Sequence, residues 1–144
     1  MKKSIKLLML LFLLLTLSAC GSNTSSKSPV IAPPMEVKSE EIIDDYLRDQ
    51  TSAEQKYKDK NVKLTGKVVA KGQFNNASNF FIIAGAKNLG EKKYALLVDY
   101  PTDKVNVVNA AKIDDFIVVE GRVVGVVPQK DPTLVTIQIY AGAK

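Results

Sequence analysis

The sequence predicts a mainly β domain, five strands closed into a small barrel behind one N-terminal helix. Three observations predict it. Apolar and polar residues alternate from Asn61 onward, and the alternation recurs in five runs separated by turn residues. The first and fourth runs also share a phrase, "LTGKVV" at Leu64–Val69 and "VEGRVV" at Val119–Val124, each with a glycine near its centre. A strand that serves both halves of a small barrel must bend, and a mid-strand glycine permits the bulge or kink. Gly66 and Gly121 are therefore the expected hinges, with Lys67 and Arg122 pointing out and Val68 and Val123 pointing in.

The elements follow in chain order. "MKKSIKLLMLLFLLLTLSAC" has three lysines, Lys2, Lys3 and Lys6, then an apolar run from Leu7 to Leu17. That run has the length of a secretory signal and falls short of the ~20 apolar residues that span a bilayer. "LSAC", Leu17–Cys20, resembles the bacterial lipobox, in which the chain is cut just before a cysteine. The resemblance implies residues 1–19 as a lipoprotein signal peptide and Cys20 as the lipidated N-terminus. Its sulfur would take a thioether-linked diacylglycerol, and its amine an acyl chain in the usual case. Each buried methylene contributes ~0.8 kcal/mol, so two or three acyl chains hold a protein on a membrane. The plainer alternative is a short anchor helix that stays attached. Residues 20–35, with "GSNTSSKSPVIAPP", are rich in Ser, Pro and Gly and read as a flexible linker.

Residues 36–144 then form the predicted domain. Ser39 reads as a helix N-cap, followed by Glu40 and Glu41 in a first turn that suits acids. Ile43, Tyr46, Leu47, Gln50, Ala53 and Tyr57 make one mainly apolar stripe, and Thr51–Ser52 mark a kink or the start of a second helix. The strands are read at Asn61–Ala70, Asn79–Gly85, Lys93–Tyr100, Asp115–Val126 and Leu134–Ala141, with one or two helical turns in "TDKVNVVNAAK" between the third and fourth. A five-stranded Greek-key barrel with a helical insert at that place is the OB-fold.

A family resemblance rests on the same segments. "AEQKYKDKNVKLTGKVV" and "IDDFIVVEGRVVGVV" resemble the tRNA-anticodon-like OB-fold family of small bacterial lipoproteins, over residues 39 to 141 or so. In that family a helix ending near a Tyr leads into a V-x-V-x-G-x-V first strand, and a G-D-x-V-x-V-x-G fourth strand follows. This chain has Asp59 and Asp114 where glycine is usual. The resemblance implies the fold and does not by itself imply RNA binding.

Composition limits the chemistry. The chain has 144 residues, no His, no Trp and one cysteine. Without His there is no imidazole base, no His-bearing zinc site and no Ser-His-Asp triad. With the thiol assigned to lipid, cysteine catalysis goes too. "GAKNLG", Gly85–Gly90, lacks the spacing and the Lys-Ser/Thr ending of a phosphate loop. Glu40, Glu41, Asp44 and Asp45 read as a solvated first turn rather than a metal site, and Asp99 and Asp103 as turn carboxylates. The expectation is a binding protein that is not an enzyme, with no metal and no cofactor.

Net charge is +5, but without the three leader lysines 17 basic residues face 15 acidic, a net of +2. That is a weak electrostatic case for nucleic acid. OB-folds usually bind through their second and third strands and the two neighbouring loops, here Lys71–Asn79 and Val127–Thr133. Candidate ligand residues are Phe74, Asn75, Asn76, Tyr94, Tyr100 and Lys130. Phe74 can stack on a ring, or fold back over the barrel mouth. Tyr94 and Tyr100 share strand parity and can extend that face, or pack half-buried within the sheet. The expected partners are a membrane, through lipid on Cys20, and an envelope protein, glycan or small molecule. A surface-tethered single-stranded nucleic-acid binder is the alternative.

Overall fold

The computed structural model describes residues 33–74 and 79–142. The predicted leader, lipidation site Cys20 and most of the linker lie outside them, as do Asn75 and Asn76. The described chain runs β1 (Met35–Lys38), α1 (Ser39–Arg48), α2 (Gln50–Tyr57), β2 (Asn61–Lys67), β3 (Ala70–Gln73), β4 (Phe80–Leu89) and β5 (Lys92–Tyr100). A 3₁₀ turn (Thr102–Lys104), α3 (Val105–Ala110), β6 (Phe116–Val127) and β7 (Leu134–Tyr140) complete it. The fold is mainly β, as the alternation predicts. The sheet has seven strands in the open order β1-β2-β6-β7-β5-β4-β3, not five in a closed barrel.

Two features account for the extra strands. Met35–Lys38 pairs in parallel with Met35 opposite Val62 and Lys38 opposite Thr65, and four residues are too few to show a period. The expected first strand divides at Val68–Val69. The Val68 amide donates to the Asp115 carbonyl (2.9 Å), and the Val69 amide to the Ile83 carbonyl (2.8 Å). The ribbon thus leaves β6 for β4 between consecutive residues, and β2 and β3 stand apart in the strand order although two residues join them.

The predicted hinges are not where the chain bends. Gly66 and Gly121 sit in regular register, opposite Ile117 and Val62. Both are buried and inward-facing, and what they provide is space. A Cβ on Gly66 would lie 2.2 Å from the Ala84 carbonyl oxygen, and one on Gly121 would lie 2.7 Å from that of Tyr140. The bulge in β6 falls instead at Gly125, where the register against β7 shifts and φ is +103°. A second shift, in β4, lies between Ile83 and Ala86. The expected directions hold: Val68 and Val123 are buried, Lys67 and Arg122 exposed.

The helices close one end of the core. Ile42, Ile43 and Tyr46 of α1 and Ala53 and Tyr57 of α2 are buried with Val62, Leu64, Ile82, Leu96, Val98, Val123, Ile137 and Ile139. Gln50, counted in the predicted stripe, is exposed, whereas Ile42 was not in it. Ser39 is not the N-cap. Lys38 precedes the helix without a side-chain cap, and Ser39 is its first residue, fully buried. Cβ atoms on Gly66 and Gly85 would each lie 3.0 Å or less from the Ser39 hydroxyl, so the helix enters directly over bare backbone. The predicted break between two helices is present, and Asp49 makes it. Its carboxylate accepts from the Thr51 and Ser52 amides (2.9 and 3.3 Å) and the Ser52 hydroxyl (2.6 Å), so it caps α2.

Glu54 ties α2 to the β6 bulge. Its Oε1 accepts from the Val126 amide at 2.8 Å and from the Tyr46 hydroxyl at 3.3 Å. Because a bulge leaves one amide out of the ladder, a carboxylate from outside the sheet takes it up. Nearby, Asp45 accepts from Lys56 (2.8 Å) and Tyr57 (2.7 Å), and these bonds hold its carboxyl below the usual range.

Candidate ligand-binding face

Paired residues point to one side of a sheet, so the registers define rows of side chains. One outward row runs Gly72 (β3), Phe81 (β4), Asp99 (β5), Tyr140 (β7) and Arg122 (β6). Phe74, just past β3, lies against Phe81 with ring centroids 5.1 Å apart and planes tilted by 50°. Gly72 makes room for this pair, since a Cβ there would lie 2.9 Å from the Phe81 ring. Both rings are half-buried.

Asp99 stands next in the row and is only 9% exposed. Its Oδ1 accepts from the Asn79 side-chain amide (3.1 Å), and its Oδ2 from that of Gln138 (3.0 Å). A buried carboxylate needs donors, and with no Lys or Arg paired to it among the described residues these two amides supply them. Two aromatic rings, one carboxylate and two amides are therefore fixed side by side on the outer face of β3, β4, β5 and β7.

The predicted residues fare unequally. Phe74 belongs to this face, packed against Phe81 on the outside of the sheet. Tyr94 and Tyr100 do share a face of β5, but it is the core face. Tyr94 packs half-buried against the core, and Tyr100 is 3% exposed, with its hydroxyl buried and unpartnered among the described residues. Burial pushes that phenol up to about 12. Tyr100 is thus a core residue. Lys130 is exposed in the β6–β7 loop. That loop meets the start of β5, where the Lys93 amide donates to Thr133 (2.7 Å). Phe74 and Asp99 lie near its other end, ~20 Å away at ~3.3 Å per residue, so the structure does not bring Lys130 to Phe74.

Asp99 is a correction of another kind. It is a buried anchor and not a solvated turn carboxylate. Asn79, Phe81 and Gln138 were missed as well, because a sequence does not print cross-strand register. The faint signal was the odd parity of Asp99 in an otherwise apolar strand. Lys71, inside the predicted binding loop, has a structural task. Its ammonium donates to the carbonyls of Val108 (3.1 Å), Asn109 (3.0 Å) and Ala111 (2.6 Å) at the end of α3.

Among the described residues no three His, Cys, Asp or Glu side chains come together as a metal site. A groove of ≈ 530 Å³ beside β1, β2 and β6 is lined by Glu36, Lys38, Lys63, Thr65 and Val118, among others. Its Lys63 is already paired with Glu36 at 2.9 Å.

OB-type folds usually present their ligand surface as an outward row on the sheet. A family model described as tRNA_anti-like matches residues 1–139, and the chain belongs to that family. Among solved structures, it is similar to a "putative nucleic acid-binding lipoprotein" from Klebsiella pneumoniae subsp. pneumoniae MGH 78578. That likeness has 18% identity and a TM-score of 0.52, covering 73% of this chain and 87% of the other. A "putative aspartyl-tRNA synthetase" from Leishmania major Friedlin is similar at 12% identity and a TM-score of 0.45, over 78% of this chain and 21% of the other. The OBody AM3L09, solved bound to hen egg-white lysozyme, follows at 17% identity and 0.41, over 58% and 79%. At 18% identity the first of these likenesses carries the fold alone. No curated protein matches the chain significantly.

Proposed function

We propose that this protein is a lipid-anchored, extracytoplasmic binding or adaptor protein without catalytic activity. In this reading residues 1–19 are removed, Cys20 carries the lipid, the Ser/Pro-rich segment to residue 35 is a tether, and the remainder engages a ligand. The observation that carries the binding reading is the outward row in which Phe74 and Phe81 adjoin Asp99, Asn79 and Gln138. Side chains there are held by packing and hydrogen bonds before any ligand arrives, which lowers the ordering cost of binding. The anchoring reading is supported by the leader and "LSAC".

The test is a crosslinking pull-down from intact cells, with wild type beside Phe74→Ala. A partner captured by wild type and lost in the variant is expected. Equal capture by both would move binding off this face. For the anchor, Cys20→Ser should leave an uncleaved precursor without lipid, and normal maturation of that variant would overturn it.

A second reading, a tethered single-stranded nucleic-acid binder, is favoured by the half-buried aromatic pair on the outer face, since stacking adds ~1–3 kcal/mol per base. The Klebsiella protein's description points the same way. Against it, Asp99 sits in the row and Lys71 is engaged by α3. Binding that falls steeply with added salt would favour it.

A further inference from the structure

We infer that the outer row selects a saccharide ring, a ligand that brings hydrogen-bond donors and a C–H face rather than phosphate. This rests on the reading of that row as the binding face.

Asp99 sets the polar half of this face. A carboxylate only accepts, so both amides must turn their NH₂ groups toward it. The orientation of Asn79 and Gln138 is therefore set chemically, at 3.1 and 3.0 Å. With the NH₂ groups committed, each side-chain carbonyl oxygen lies on the side away from the carboxylate. Both residues are half-buried, so these oxygens are the polar atoms they have left for a ligand. The face is thus rich in acceptors, and it answers to O–H or N–H donors.

Charge points the same way. The Asp99 carboxylate behind the amides repels a phosphate. Lys71, the cation nearest in sequence to Phe74, is spent on three carbonyls of α3. Arg122 stands in the same row but two strands from Asp99, roughly 10 Å at ~4.8 Å per strand. A nucleic-acid backbone would lack the cations that usually dominate its affinity.

The aromatic pair supplies the other half. The negative face of an aromatic ring attracts the C–H edge of an apolar surface. A pyranose presents such C–H groups on one face and hydroxyl donors at its rim. With one ring of an oligomer stacked on Phe74 and Phe81, its rim hydroxyls meet Asn79 just ahead of β4, and the next ring meets Gln138 on β7, two strands away. The ring and the two acceptors fit one ligand.

The experiment is an NMR titration of the isotope-labelled full-length protein in detergent micelles, following the side-chain amides of Asn79 and Gln138. The two probes are an N-acetylglucosamine oligomer and a short single-stranded oligonucleotide. The expected result is that the saccharide shifts both amides and the oligonucleotide does not. Asp99→Asn, which frees the amides to rotate, should weaken saccharide binding about tenfold, the scale of one charge-assisted hydrogen bond. Asn79→Leu, at a half-buried position, should weaken it as well, and retained dispersion in each spectrum shows that the fold survives. If the oligonucleotide alone shifts the row, and binds Asp99→Asn as well or better, the face binds but the saccharide inference is wrong. If neither probe shifts the row, the inference falls, while a partner in the Phe74-dependent pull-down would still uphold the face as a binding surface.

Discussion

Gly66→Ala tests the account of the glycines. The substitution adds one methyl group on the core side of β2, and the structure says where it goes. Its Cβ would stand 2.2 Å from the Ala84 carbonyl oxygen, 3.0 Å from the Ser39 hydroxyl and 3.1 Å from the Ala84 methyl. A carbon meets a carbonyl oxygen at ~3.3 Å or more, so β2 and β4 must part by about 1 Å. Neither can yield cheaply, because the crowding atom is backbone and α1 lies on top. Overpacking of this kind costs ~1–3 kcal/mol, against a gain of ~0.4–1 kcal/mol from a stiffer unfolded chain. A net loss of about 1–2 kcal/mol lowers the melting temperature by roughly 5–10 °C in a domain of this size.

Gly90→Ala is the comparison. Gly90 has φ +59° with nothing within 4 Å of a built Cβ, so only the left-handed backbone cost of ~1–2 kcal/mol applies, less the same entropic gain. Thermal unfolding followed by circular dichroism should rank wild type, then Gly90→Ala, then Gly66→Ala. A Gly66→Ala protein melting within ~2 °C of wild type would refute the close-approach explanation.

Three other perturbations follow from the same structure. Glu54→Ala strands the Val126 amide and the Tyr46 hydroxyl and should cost about 2 kcal/mol, whereas Glu54→Gln keeps an acceptor and should cost less; denaturant unfolding reads the difference. Tyr100→Phe removes a buried hydroxyl with no partner among the described residues, so stability should hold or rise by up to ~1 kcal/mol, and a clear fall would show a partner there. Asp45 is held below its ordinary 3.8 by Lys56 and Tyr57. Its contribution is therefore full above that value and lost as pH falls through the lower folded value. Asp45→Asn should flatten the acid arm of the stability profile below about pH 4, and an unchanged arm would assign it elsewhere.

The alternation of Val62, Leu64 and Val68, and of Leu96 and Val98, fixes which side of each strand is buried, because a strand's period is two whatever surrounds it. The break between the helices was legible near Thr51–Ser52 for a similar reason, since capping is a local bargain between a side chain and nearby amides. The matched phrases around Gly66 and Gly121 were legible as special positions, but their purpose was not. A glycine in a sequence announces that a side chain is unwelcome without saying whether the backbone must turn or a neighbour must approach. Here the neighbours are the Ala84 and Tyr140 carbonyls, 18 and 19 residues away, and the turning is left to Val68–Val69 and Gly125.

The candidate face shows the same division. Phe74 could be nominated from sequence as a loop aromatic, whereas Tyr100 was nominated by parity and proves to be core. Parity tells that two residues share a face but not which face looks outward. Asn79, Phe81, Asp99 and Gln138 lie on three different strands and a loop end, brought together by registers that pair Phe81 with Asp99 and Leu97 with Gln138. What the sequence determined by itself was local: the strand period, the break between the two helices and the residues that avoid a Cβ. What the tertiary structure decided was every juxtaposition across strands, because hydrogen-bond register is settled by how the whole sheet packs its apolar side against the helices.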